Sequence, residues 1–135
     1  FLPHAGTVFI SVRDRDKAAM VVPASQLVAM GFALIATTGT AAYLREAGIA
    51  VTLVNKVLEG RPHIIDAMKN GQVALVFNTT EGTQAMRDSF ELRRYALVHR
   101  IPYYTTVAGA RAAVQGIAAL RAGSLEVAPL QSYSL

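Results

Sequence analysis

The sequence predicts an α/β fold: a three-layer, Rossmann-like, doubly wound domain built on a five-stranded parallel sheet. Three observations carry this. Short apolar runs alternate with stretches of helical periodicity along most of the chain, the order that parallel strands and right-handed crossovers require. Hydrophobic residues make up 53% and charged residues 16%, with much of the apolar content in Ala and Val, which suits strands buried on both faces. At 135 residues, one sheet and its covering helices account for the chain, and a second core does not fit.

Each element has its own signal. Thr7 to Val12 is a β-branched run and reads as the first strand. Asp16 to about Met30 has helical composition, with Pro23 expected to kink or divide it. Gly31 ends that helix, and Phe32 to Ala36 is the second strand. Thr40 to Glu46 is a short helix closed by Gly48, and Val51 to Val54 is the third strand. Gly60-Arg61-Pro62 opens a helix to about Asn70, with Pro62 in the first turn where its missing N–H costs nothing. Val73 to Phe77 is the fourth strand, and Gly82 to His99 the next helix. Pro102 to Thr105 is a short fifth strand, and Ala108 to Arg121 an Ala-rich last helix. Leu125 to Leu135 shows no periodicity and is assigned no element. The core is thus expected over residues 7–121, with a tail over 122–135.

Bulk properties exclude several classes of function. No run approaches the ~18 apolar residues that span a bilayer. Phe1-Leu2-Pro3-His4 has neither the charged nor the apolar region of a signal peptide, and the missing initiator Met suggests a piece of a longer protein. The chain has no Cys, which excludes disulfides and thiolate metal sites and fits a cytoplasmic location. A net charge of +4 invites nucleic acid, but the basic residues are dispersed. The densest group, Arg87, Arg93, Arg94, His99 and Arg100, is interspersed with Asp88 and Glu91 as on a solvated helix face. With no Trp and no aromatic–basic interleaving, neither nucleic acid nor membrane is expected as a partner. His63 lacks a second ligand at metal-binding spacing, and no metal site is expected.

In an open parallel sheet, ligands bind outside the carboxyl ends of the strands. Ser11, Arg13 and Lys17 follow the first strand, and Thr37-Thr38-Gly39-Thr40 the second. Asn55-Lys56 follows the third, Asn78-Thr79-Thr80 the fourth, and Thr105-Thr106 the fifth. Every exit carries hydroxyl, amide or cationic side chains, and carboxylates are scarce. The Thr-Thr-Gly-Thr turn leads into a helix whose N-terminal amides and dipole favour an anion. Gly39 allows close backbone approach, and Lys17 and Lys56 can supply countercharge. These residues predict a phosphate site. The plainer alternative is that Thr37 or Thr38 caps the helix while both lysines are solvated. Asn78, Thr79 and Thr80, with Ser89 on the following helix, can bond a sugar or base. For Thr80, capping is an equal alternative.

Taken together these residues resemble the methylglyoxal synthase-like domain family, and within it the C-terminal allosteric domains of carbamoyl phosphate synthetase large chains. The matching stretches are Ser11-Val12-Arg13-Asp14-Arg15-Asp16-Lys17, Ala36-Thr37-Thr38-Gly39-Thr40, Arg45-Glu46-Ala47-Gly48-Ile49, Asn78-Thr79-Thr80, Arg87-Asp88-Ser89, Arg93-Arg94 and Tyr104-Thr105-Thr106. The most specific is Val54-Asn55-Lys56-Val57-Leu58-Glu59-Gly60-Arg61-Pro62-His63-Ile64.

The resemblance implies a nucleoside monophosphate effector of the UMP or IMP type. Its phosphate would lie at Lys17, Thr37, Thr40 and Lys56, and its ribose and base at Ser11, Asn78, Thr80 and Ser89. A second effector, ornithine in some members, would involve Thr105. Such members carry Asp just before the Thr pair, where this chain has Tyr104. The resemblance further implies a non-catalytic regulatory domain without a cofactor of its own, inside a glutamine-hydrolysing, ATP- and Mg-using ligase of pyrimidine and arginine biosynthesis. Its partners would be the catalytic domains of the same large chain, the glutaminase small subunit and neighbouring copies in an oligomer.

The alternative is a stand-alone lyase of the methylglyoxal synthase type, acting on dihydroxyacetone phosphate. That enzyme uses an Asp in a Gly-Gly-Asp-type loop after the third strand, where this chain has Lys56 to Pro62 with only Glu59 as an acid. The related cyclohydrolase domains of purine synthesis need a Lys-Thr-Leu-His-Pro-Lys type segment, which is absent.

Overall fold

A computed structural model of the chain describes residues 2–54, 68, 71–79 and 83–134. Five strands, β1 (Thr7–Ser11), β2 (Ala33–Ala36), β3 (Thr52–Leu53), β4 (Val73–Asn78) and β5 (Tyr103–Tyr104), form one sheet. Its order is β3-β2-β1-β4-β5, and every pairing is parallel. The described helices are α1 (Asp14–Ala29), α2 (Thr38–Glu46), α3 (Thr83–Val98) and α4 (Val107–Ser134). Met68 is also helical and buried. The rest of the helix expected up to Asn70, with Lys56 and Thr80, lies outside the described residues.

Side chains alternate across the strands and divide the core in two. Val8 and Ile10 of β1, Leu34 and Ala36 of β2, and Leu75 and Phe77 of β4 pack with Met20, Ala24 and Leu27 of α1, Leu44 of α2 and Val114 and Ile117 of α4. On the opposite face Phe9 and Val76 pack with Met68 and with Leu92 and Ala96 of α3. Helices therefore cover both faces, as the near-continuous apolar strands require. Leu27 and Phe77 are fully buried, and burying side chains of this size stabilises the fold by about 1.5–3 kcal/mol each.

Two local expectations are corrected. Pro23 does not divide α1, which runs unbroken from Asp14 to Ala29. An interior proline costs about 3 kcal/mol, but Pro23 is itself buried beside Met20, Ala24 and Leu27, and that packing offsets the lost bond. The last helix does not stop at Arg121 but continues to Ser134, through the segment expected to carry no element. Extending an existing helix is far easier than nucleating one, and Leu125, Glu126, Ala128, Leu130 and Gln131 accept helical backbone at little cost. Thr37 occupies the N-cap position of α2 but makes no side-chain cap bond. The expected end of α1 is observed: Gly31 has φ 93°, and Phe32 N–H closes back on Leu27 O at 3.0 Å.

Candidate functional site

From β1 the chain winds outward to β2 and β3, then returns to β4 on the other side of β1. The winding direction reverses between β1 and β4, the place where open parallel sheets form a crevice at the carboxyl ends of their strands. Ser11 ends β1 directly opposite Asn78, which ends β4. Thr37 follows β2, and the N-termini of α1 and α2 meet the same edge.

The hydroxyls of this edge are buried and interlocked. Ser11, Thr37, Thr40, Asn78 and Thr79 are all buried polar residues. Ser11 Oγ lies 3.0 Å from Thr37 Oγ1. Thr40 Oγ1 accepts a bond from Val12 N–H at 3.1 Å and faces Val12 O at 3.4 Å. Thr79 N–H donates to Ser11 O at 2.9 Å, while Thr79 Oγ1 accepts from Arg13 N–H at 3.2 Å. The ends of β1, β2 and β4 are thus tied by hydroxyl–hydroxyl, hydroxyl–backbone and backbone–backbone bonds, as buried polar groups demand.

The charges near this edge come from the first turn of α1. Lys17 reaches over the start of α2, where a Cβ at Gly39 would stand 2.7 Å from its Nζ. Its side chain is only 16% exposed and donates to the fully solvated Asp14 carboxylate at 2.5 Å. That bond and the ammonium charge hold Asp14 below the usual carboxylate range. Arg13 Nε donates to Asp16 Oδ2 at 2.6 Å. Burial pushes Asp16 upward, but bonds from Arg13 and Thr79 and the charges of Arg13 and Arg15 together bring it below its ordinary value. The amides of the first turn of α2 carry partial positive charge, and Thr37 makes no side-chain cap bond to them.

On the β5 side, Asn78 Nδ2 donates to Ser89 Oγ at 2.9 Å and to Tyr103 Oη at 2.6 Å. The Arg93 guanidinium lies 5.3 Å from the centre of the Tyr103 ring.

Of the residues singled out in the sequence, Ser11, Thr37, Thr40 and Lys17 gather at the β1/β2 side of the crevice, and Asn78 and Ser89 at the β4 side. Thr105 is exposed beyond β5, one residue before Thr106, whose Oγ1 accepts Gly109 N–H at 3.0 Å and caps α4. Sequence reasoning missed Asp16 and Tyr103. Asp16 sits in a charged Asp-Arg-Asp-Lys run that looks solvated, and Tyr103 in a strand of two residues. Among the described residues no cluster of three or more His, Cys, Asp or Glu could hold a metal. None of the described helices is long and apolar enough to cross a membrane.

A family profile described as the MGS-like domain matches residues 19–105. Carbamoyl phosphate synthase large chains are similar over 98% of the chain: that of Rhizobium meliloti at 58% identity over 133 residues and that of Mesorhizobium japonicum at 54% over 132. The chain spans only about 11% of the length of these relatives. Among solved structures, a methylglyoxal synthase from Elizabethkingia anophelis superposes with a TM-score of 0.66, covering 84% of this chain and 79% of that one, at 21% identity. The last similarity concerns the fold alone.

Proposed function

Because the chain belongs to the MGS-like domain family, we propose that it is the regulatory, effector-binding part of a carbamoyl phosphate synthase large chain and takes a nucleoside monophosphate at the carboxyl edge of its sheet. The observation that carries this reading is the convergence at the β1/β4 crevice. Lys17 lies across the start of α2, and Ser11, bonded to Thr37, ends β1 opposite Asn78. A phosphate entering there meets helix-terminal amides and an ammonium, a pairing suited to a dianion. Lys56, which follows β3 in the sequence, is the second candidate countercharge.

The hydroxyl pair Ser11–Thr37 can exchange its internal bond for one to the ligand at little net cost, since one hydrogen bond replaces another. Under this proposal Asn78 and Ser89 serve the sugar and base, with Thr80 a candidate from the sequence alone, and Thr105 serves a second effector. In this reading the domain performs no chemistry. The complete cytoplasmic enzyme, with its catalytic domains, glutaminase subunit, ATP and Mg, makes carbamoyl phosphate for pyrimidine and arginine biosynthesis. The effector biases its global states by differential affinity.

Calorimetric titration of the chain with UMP, IMP, uridine and inorganic phosphate tests this. The monophosphates should bind, and uridine should bind at least tenfold more weakly. Equal affinity for uridine and UMP would remove the phosphate site. Methylglyoxal formation from dihydroxyacetone phosphate would overturn the regulatory reading in favour of a lyase.

A further inference from the structure

Asn78 ends β4 at the crevice and is buried. The terminal torsion of an Asn side chain is soft and broad, so a single contact leaves the amide free to swing. Here its nitrogen is gripped from two elements: by Ser89 Oγ of α3 at 2.9 Å and by Tyr103 Oη of β5 at 2.6 Å. An amide nitrogen carries two hydrogens, enough to bond both oxygens at once. Val76 is the register partner of Tyr103, and Tyr103 packs with the apolar cluster beneath α3. The ring therefore lies on the same face as Asn78, with its oxygen directed toward the end of β4. Arg93 lies across that ring, so the phenol is held through its face as well as its oxygen.

We propose that Tyr103 is a positioning residue of the effector site. Acting through Asn78, it fixes the plane in which that amide meets the sugar and base of a bound nucleotide. This rests on the effector reading above. Tyr103 itself touches no ligand in this arrangement. Its influence is confined to the nucleoside end, because the phosphate end is built from α1, α2 and β2, which do not border β5.

Tyr103→Phe tests the idea, since it keeps the ring, the packing and the contact with Arg93 and removes only the hydroxyl. UMP affinity, measured by calorimetry on the chain, should fall about two- to tenfold, the range of one neutral hydrogen bond. Affinity for inorganic phosphate should stay at the parent value. In an Asn78→Ala background the same change should have no further effect on UMP, because the route through Asn78 is already gone. In the unliganded protein, the side-chain amide resonances of Asn78 should move in Tyr103→Phe.

Unchanged UMP affinity in a folded Tyr103→Phe protein would overturn the proposal. So would an equal loss for UMP and phosphate, or a full loss persisting without Asn78, which would mean a general disturbance or a direct contact. If the parent chain bound no nucleoside monophosphate, the effector reading would fall first. If the parent bound and Tyr103→Phe bound equally, only this inference would fall.

Discussion

The ammonium of Lys17 lies over Gly39, so close that a Cβ at position 39 would stand 2.7 Å from Nζ. Two helices of one layer, α1 and α2, thereby bring a cation and a helix N-terminus to a single point. The space above Gly39 is filled by the end of a flexible side chain, not by backbone.

Gly39→Ala should therefore separate binding from stability. The lysine can swing aside, and Ala is the better helix residue by up to about 1 kcal/mol. We expect a thermal midpoint equal to or above the parent, with weakened affinity for UMP and inorganic phosphate. Unchanged affinity in calorimetry would mean that the position of Lys17 over α2 plays no part in binding.

Thr40 should behave in the opposite way. Its hydroxyl is buried and satisfies Val12 N–H at 3.1 Å, holding the exit of β1 against the first turn of α2. Thr40→Val keeps the shape and strands that N–H, at a cost of about 1–3 kcal/mol. Thr40→Ser should recover most of the loss. Urea unfolding checks both variants. A Val variant as stable as the parent would show that the bond contributes nothing, leaving Thr40 to the ligand alone.

Much of this was legible in the sequence, because apolar periodicity and the Gly31 stop are written in consecutive residues. The crevice, too, followed from topology once the strands were ordered, since Ser11, Thr37 and Asn78 all lie at strand exits. What could not be read was which hydroxyl answers which backbone group. Thr40 and Val12 are 28 residues apart, and no local pattern pairs them. The bond from Arg13 N–H to Thr79 Oγ1 spans 66 residues and is hidden for the same reason. The end of the last helix was missed because Leu125 to Leu135 shows no apolar periodicity, whereas an established helix continues without it.

Asp16 supplies a pH-dependent contribution to stability. Its burial opposes ionisation, but the bonds from Arg13 and Thr79, with the charges of Arg13 and Arg15, set its folded value below the ordinary 3.8. A carboxylate more acidic in the folded state stabilises the protein above its unfolded value, and that contribution is lost as pH falls through the folded value. Asp16→Asn should therefore be less stable than the parent at neutral pH. The gap should narrow as the pH drops below 3.8. Urea unfolding at a series of pH values measures it. A gap independent of pH would assign the effect to packing and not to the charge of Asp16.

The strongest test joins the crevice to the complete enzyme. If Lys17 and Lys56 hold the effector phosphate and nothing here is catalytic, the double replacement Lys17→Ala/Lys56→Ala in a full-length large chain should leave basal synthesis near its original rate. Each charge-assisted bond lost corresponds to roughly ten- to a hundredfold in affinity. Nucleotide sensitivity should therefore shift far above its normal concentration range or disappear. Lysines are chosen over Thr40 because Thr40 also holds the β1 exit, and a fall in activity there could come from unfolding. Among the described residues Lys17 instead bonds the solvated Asp14 carboxylate, and an ion pair with one partner in open solvent contributes little to stability. Activity is then measured with and without UMP or IMP, alongside the thermal midpoint. A folded variant with collapsed basal synthesis and an intact nucleotide response would make the crevice catalytic and reverse the assignment. Intact basal synthesis with an unchanged response would move the effector elsewhere on the large chain.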